Sequence, residues 1–169
     1  MKAYRGAGHC VMLEIPAEEA ARLAVPGGET PSDLHITLAY LGKGLSLEQM
    51  QRVNQVVRSL AHDTLAADIG GLGTFEPTVN SEGRRVYYAR VESVALLNFR
   101  KVLVDALQIV GISVASNFEY APHVTLAYVT DGIPYPFETP EVRTVVLDRL
   151  TYKAGVDGYT YQLGVDRGE

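Results

Sequence analysis

"DLHITLAYLGKG" occupies Asp33 to Gly44, and "APHVTLAYVTDG" occupies Ala121 to Gly132. Aligned without gaps, six of the twelve positions are identical, including the run His-x-Thr-Leu-Ala-Tyr. Both stretches are dense in β-branched and aromatic residues, which suit a half-buried strand. Side chains on a strand alternate between its two faces. His35, Thr37 and Ala39 are therefore expected on one face, and Ile36, Leu38 and Tyr40 on the other. His123, Thr125 and Ala127 divide from Val124, Leu126 and Tyr128 in the same way. On a regular strand Tyr40 and Tyr128 are core residues; a bulge would reverse that.

Outward from the motifs, the chain reads as strands and helices in two similar halves. Val11, Leu13 and Ile15 alternate as a strand from His9 to Ile15. "PAEEAARLA" follows as a short helix opened by Pro16. Ser46 and Gln49 have capping-box spacing ahead of the stripe Leu47, Met50, Val53, Val56, Val57 and Leu60. "LAADIGGLGTF" and "RRVYYARV" read as strands joined by a polar loop. A second helix runs from Ser93 to a stop at Gly111, with Phe99, Val102, Leu103, Ala106, Leu107 and Val110 on one face. "RTVVLDRLTYK" and "YTYQLGV" are expected to close the chain as two strands. The expectation is an α+β fold in one domain, residues 1–169, made of two lobes that each contribute a His-x-Thr strand.

Composition narrows the class. The 169 residues are 47% apolar, enough for one core, and no run is long enough to span a membrane. One cysteine, Cys10, excludes an intrachain disulfide framework and favours a reducing, cytoplasmic setting. A net charge of −5 argues against a protein that grips long duplex nucleic acid through its phosphates. It leaves room for a small nucleotide or a short RNA end as the partner of a monomer.

Two His-x-Thr strands set together would place two imidazoles and two hydroxyls on one surface. That set suits in-line displacement at phosphorus. A neutral imidazole takes a proton from the nucleophile, and a protonated one gives a proton to the leaving oxygen. An ordinary histidine titrates near pH 6.5, so both forms exist near neutrality. Threonine hydroxyls can hold the non-bridging oxygens where charge builds up. This scheme calls for no metal and no cofactor. Sheet propensity explains the repeated Thr and Tyr, but not the repeated His.

His35-Ile36-Thr37-Leu38 and His123-Val124-Thr125-Leu126 resemble the paired signatures of the 2H phosphoesterases, the LigT-like proteins often labelled 2′-5′ RNA ligases. The separation of 88 residues (123 minus 35) and the "PHVTLAY" context around Pro122 fit that resemblance, which spans the chain. "RLAVPGGETPSDLHITLAYLG" is similar to compact phage-encoded members. The resemblance implies two lobes about a central cleft and metal-independent phosphodiester chemistry. The bonds cut in such proteins include 2′,3′-cyclic phosphates, 2′-5′ oligoadenylates and cyclic-nucleotide signals. Carried over by motif, His35 and His123 are the proton-transfer pair, and Thr37 and Thr125 hold phosphate. The motifs do not say which histidine is acid and which is base. The rival readings are a hydrolase of cyclic-oligonucleotide or 2′-5′ oligoadenylate defence signals, a module that sequesters a nucleotide without hydrolysis, 2′-5′ ligation by the reverse reaction, and a structural or host-interaction protein.

Other residues are candidates for substrate contact. Lys43 follows the first motif and could reach a phosphate. Arg85 could touch a distal phosphate. In "NFEYAPH", Phe118 and Tyr120 precede the second motif, and Tyr120 could stack on a base. His9 and Cys10 lack zinc-ligand spacing, and His9 is expected near solvent at the start of its strand. "GGLG", Gly70 to Gly73, lacks the phosphate-loop pattern and reads as a strand irregularity.

Overall fold

A computed structural model describes residues 8–116 and 119–165. Phe118 lies outside the described residues. Eight strands form one antiparallel sheet: β1 His9–Glu14, β2 His35–Gly42, β3 Leu65–Phe75, β4 Arg84–Glu92, β5 His123–Thr130, β6 Arg143–Leu147, β7 Arg149–Ala154 and β8 Asp157–Gln162. Their spatial order is β6-β3-β4-β5-β2-β1-β7-β8. Three α-helices accompany them: α1 Ala17–Leu23, α2 Leu47–Leu60 and α3 Val94–Ile109.

The helices end where local chemistry stops them. Ser46 caps α2 by accepting from the Gln49 N–H, and the Gln49 side chain answers the Ser46 N–H, completing the capping box. Gly111, at φ +84°, ends α3. Its N–H donates to the Gln108 carbonyl at 3.0 Å, and the Ile112 N–H to the Leu107 carbonyl at 2.9 Å. These two bonds make a Schellman motif, which needs the left-handed conformation glycine adopts without strain. Helix α3 packs on β3 and β2, and α2 packs on β7 and α3. One contiguous core includes Leu13, Ile36, Leu38, Ile69, Leu103, Leu107, Val124, Leu126 and Tyr152.

The sheet divides at its middle. Strands β6-β3-β4-β5 form one half and β2-β1-β7-β8 the other. The halves meet at the pair Ile36 and Val124, both fully buried.

The run Arg143–Lys153 departs from its reading as a single strand. It breaks at Asp148 into β6, which pairs with β3, and β7, which pairs with β1. In a flat sheet six spacings of about 4.8 Å would separate them by about 29 Å. A one-residue gap spans about 7 Å of chain. The sheet therefore curls until its β6 and β7 ends approach. Core positions shift from odd (Val145, Leu147) to even (Leu150, Tyr152) across the break, so both segments keep their apolar side on the core.

Each motif strand also carries a bulge. Opposite β2, Val11 pairs with Ala39 but Met12 pairs with Thr37, so Leu38 is an extra residue. Opposite β5, Tyr87 pairs with Ala127 but Tyr88 pairs with Thr125, so Leu126 is the extra residue. An inserted residue reverses alternation beyond it. Ala39 and Ala127, expected beside the histidines, are buried in the core or against it. Tyr40, expected in the core, is 38% exposed. Tyr128 likewise turns from the core to the histidine face, where Arg84 lies 5.0 Å above its ring.

Candidate active site

Strands β2 and β5 begin at His35 and His123 and run antiparallel. Ile36 and Val124 face each other and point into the core. Continuing that register one residue each way sets His35 opposite Thr125, and Thr37 opposite His123. Each lobe's imidazole thus lies beside the other lobe's hydroxyl. All four side chains are partly buried on the face away from the core.

Both imidazoles are held alike. His35 donates through Nδ1 to the Asp33 carbonyl at 2.7 Å, and His123 through Nδ1 to the Ala121 carbonyl at 2.9 Å. A carbonyl only accepts, so Nδ1 carries the hydrogen in both rings. Nε2 is left as the ring nitrogen that can take up or release a proton.

Their surroundings differ. The His123 ring meets Phe75 edge-on at 4.9 Å and Tyr88 at 5.1 Å, and those two rings lie 4.5 Å apart. Burial lowers the His123 pKa; its bond to Ala121 opposes this, and nearby His35 adds to the lowering. Beside His35 on β1 stands Glu14, and beside His123 on β4 stands Arg90. Glu14 turns toward β7 and β8, accepting from the Thr151 and Thr160 hydroxyls and pairing with Arg149 at 3.7 Å.

Strands β2 and β5 pair only at Ile36 and Val124, and residues from a helix and loops of the opposite half satisfy carbonyls along each strand. Tyr120 donates through its hydroxyl to the Thr37 carbonyl at 2.9 Å, and Arg100 donates through Nε to the Leu38 carbonyl at 3.1 Å. The Ala115 N–H reaches the Tyr40 carbonyl at 3.0 Å. In return, the Glu29 N–H donates to the Leu126 carbonyl at 2.8 Å. Each half therefore secures the bulge of the other.

The remaining candidates fall elsewhere. The ring of Tyr120, offered by the sequence as a base-stacking edge, is already covered by the Arg100 guanidinium at 4.1 Å. Burial also raises its hydroxyl pKa well above the ordinary tyrosine range. Arg85 is engaged by Glu76 at 3.2 Å and Asp131 at 3.4 Å, and alternates with Tyr88 on β4 to the opposite face. Lys43 sits between two left-handed glycines, Gly42 and Gly44, about 25 Å of strand from His35. His9 is buried rather than solvent-facing: its Nδ1 meets the Tyr152 hydroxyl at 2.9 Å. "GGLG" lies within β3, where the register shifts between Gly70 and Gly73. Among the described residues, no group of three or more His, Cys, Asp or Glu could hold a metal ion.

The sequence reading passed over Phe75, Tyr88, Arg90, Glu14 and Arg100. Alternation along "RRVYYARV" carried a usable signal, since Tyr88 and Arg90 share one face. Nothing local tied that face to His123.

A sequence profile of the 2′-5′ RNA ligase superfamily matches residues 14–157, which includes both histidine strands. The chain belongs to that superfamily. Solved structures of LigT-like proteins share the fold over nearly the whole chain. LigT of E. coli, in complex with 3′-AMP, aligns at a TM-score of 0.65 with 18% identity, covering 93% of this chain and 95% of its own. TT0787 of Thermus thermophilus aligns at 0.67 with 21% identity, covering 92% and 94%. A structure described as a phosphoesterase aligns at 0.63 with 17% identity, covering 93% and 95%. No curated protein matches the chain in sequence. A phosphoesterase activity accords with this superfamily membership. Among the described residues no helix is long and apolar enough to cross a membrane.

Proposed function

We propose that this 2′-5′ RNA ligase superfamily member is a phosphodiesterase that hydrolyses a nucleotide phosphodiester, a 2′,3′-cyclic phosphate above all. The observation that carries the reading is the Ile36–Val124 pair, whose register sets each histidine beside the other motif's threonine. The solved E. coli LigT complexes with 3′-AMP, ATP and NADP+ support a small nucleotide as the ligand class.

The environments of the imidazoles suggest their roles. Burial favours neutral His123, which suits a general base. Its Nε2 takes a proton from water as the water oxygen bonds to phosphorus. Protonated His35 gives its Nε2 proton to the ribose oxygen whose bond to phosphorus breaks. The Thr37 and Thr125 hydroxyls donate to the non-bridging oxygens and stabilise the charge that accumulates there. The product is a ribose phosphomonoester with one free hydroxyl. The scheme runs through the protein's own side chains and needs no cofactor.

The test is turnover of 2′,3′-cyclic nucleotides by the wild type and by His35→Ala and His123→Ala. Each variant is expected to lose at least about a thousandfold in kcat, in the range for removing a general acid or base, while keeping its circular dichroism spectrum. Wild-type turnover should persist in a chelator. Undiminished turnover by the double variant would sink the assignment. Tight binding of an unaltered nucleotide, with no product, would point instead to sequestration.

A further inference from the structure

Arg90 stands on β4 directly across from His123. Directly opposed residues on one sheet face have Cβ atoms about 5 Å apart. Tyr88, two residues earlier, touches the His123 ring from the same face. The Arg90 stem passes over Gly71, where an added Cβ would lie 3.6 Å from its Cδ. Its Nε donates to the Leu72 carbonyl at 3.1 Å. That carbonyl lies in the register irregularity of β3 between Gly70 and Gly73. The guanidinium is thus anchored on one side. Among the described residues, no carboxylate or carbonyl takes its Nη hydrogens.

Other arginines bordering this half of the sheet are committed. Arg85 is paired with Glu76 and Asp131, and Arg84 with Glu82 at 3.8 Å. In a chain of net charge −5, a guanidinium anchored beside His123 and otherwise unpaired among the described residues is a specific feature. Its fork suits a phosphate group.

Position decides which phosphate. On the phosphodiesterase reading the scissile group lies over the seam between β2 and β5, where the register brings the histidines and threonines together. The Arg90 backbone is about one and a half strand spacings away, roughly 7 Å, and the guanidinium is drawn farther toward β3. That is beyond the scissile phosphate and within one nucleotide unit of it. Phe75 and Tyr88, both against the His123 ring, offer aromatic surface to the base or sugar between two phosphates.

We infer that Arg90 binds the phosphodiester next to the scissile one, so that the substrate is a short single-stranded oligonucleotide rather than a mononucleotide. The inference rests on the phosphodiesterase reading above. It is tested by comparing kcat/KM for a nucleoside 2′,3′-cyclic phosphate and for a dinucleotide ending in the same cyclic phosphate. The wild type is expected to prefer the dinucleotide by at least about tenfold, the scale of one charged hydrogen bond. In Arg90→Gln that preference collapses toward unity. Arg90→Lys, which keeps the charge, restores part of it. The salt dependence of the dinucleotide reaction should lose about 0.7 in log–log slope in Arg90→Gln, the share of one single-strand phosphate contact. Equal use of both substrates by the wild type, or a preference that survives Arg90→Gln, overturns the inference and leaves the phosphodiesterase reading standing. If neither substrate turns over, that reading fails. Equilibrium binding of a nucleoside 3′-phosphate and a dinucleotide 3′-phosphate then decides the Arg90 site by itself. A dinucleotide advantage that Arg90→Gln removes sustains it, and equal affinity overturns it.

Discussion

The Tyr120 hydroxyl donates to the carbonyl oxygen of Thr37 at 2.9 Å. The bond joins the loop before one motif to the strand of the other, two residues beyond His35. Thr37 pairs with Met12 immediately before the extra residue Leu38. Tyr120→Phe keeps the ring against Arg100 but removes the donor. A buried carbonyl left unpaired costs about 1–3 kcal/mol. The variant is expected to unfold at lower urea and to lose kcat more than it gains KM, because Thr37 shifts relative to the reacting phosphorus. Steady-state kinetics separate this from a purely structural role, which would leave kcat per folded molecule unchanged.

Gly28 tests the reciprocal contact. A Cβ there would stand 2.4 Å from the Leu126 carbonyl, the acceptor for the Glu29 N–H. Backbone cannot yield as a flexible side chain does. Gly28→Ala should destabilise by about 1–3 kcal/mol, as overpacking typically does. A denaturation midpoint equal to that of the wild type would show that the Leu126 bulge has room the geometry does not suggest.

His123 is lowered from its ordinary pKa of 6.5 chiefly by burial. The sign follows directly. Well above pH 6.5 the ring is neutral in folded and unfolded chains and contributes nothing to the slope. As pH falls through 6.5 the unfolded chain takes up the proton first, so stability declines until the folded pKa is passed. Buried His9 acts in the same direction. The share of His123 is therefore the difference between urea titrations of the wild type and His123→Gln, taken from about pH 7.5 down to about pH 5. The variant should show the shallower decline.

Phe75 meets the His123 ring edge-on at 4.9 Å and helps exclude water from it. Phe75→Ala should let the His123 pKa rise toward 6.5. If His123 is the base, the acidic limb of the kcat/KM profile moves to higher pH by a measurable fraction of a unit. Movement of the alkaline limb instead would exchange the roles of the two histidines.

Gly73 leaves space for the other ring on His123. An added Cβ would lie 2.3 Å from Cζ of Tyr88. Gly73→Ala is expected to displace Tyr88 and to lower kcat/KM by about tenfold or more, the scale of about 1.4 kcal/mol in transition-state binding. Near-normal thermal stability should accompany that loss, because the displaced ring lies on the open face. Wild-type kcat/KM in this variant would mean that Tyr88 moves without disturbing His123.

The repeat at His35 and His123 was legible because two imidazoles in one six-residue context have no explanation in strand propensity. The helices were legible through the Ser46–Gln49 box, the apolar stripes and Gly111, all short-range signals. The reach of the sequence ended where partners are distant. Whether Tyr40 faces the core depends on the register of β1 against β2, and one extra residue at Leu38 reverses it. Whether Arg143–Lys153 is one strand or two depends on β3 and β1 claiming its two ends. Arg90 became a binding candidate only when β4 was set beside His123, with the Leu72 carbonyl accepting from its Nε. Composition and periodicity act over a few residues, so the sequence by itself determined the element types and the four motif residues. Strand register and carbonyl pairing are contacts across the whole chain. The tertiary structure alone decided which face each later side chain took and what stands around each histidine.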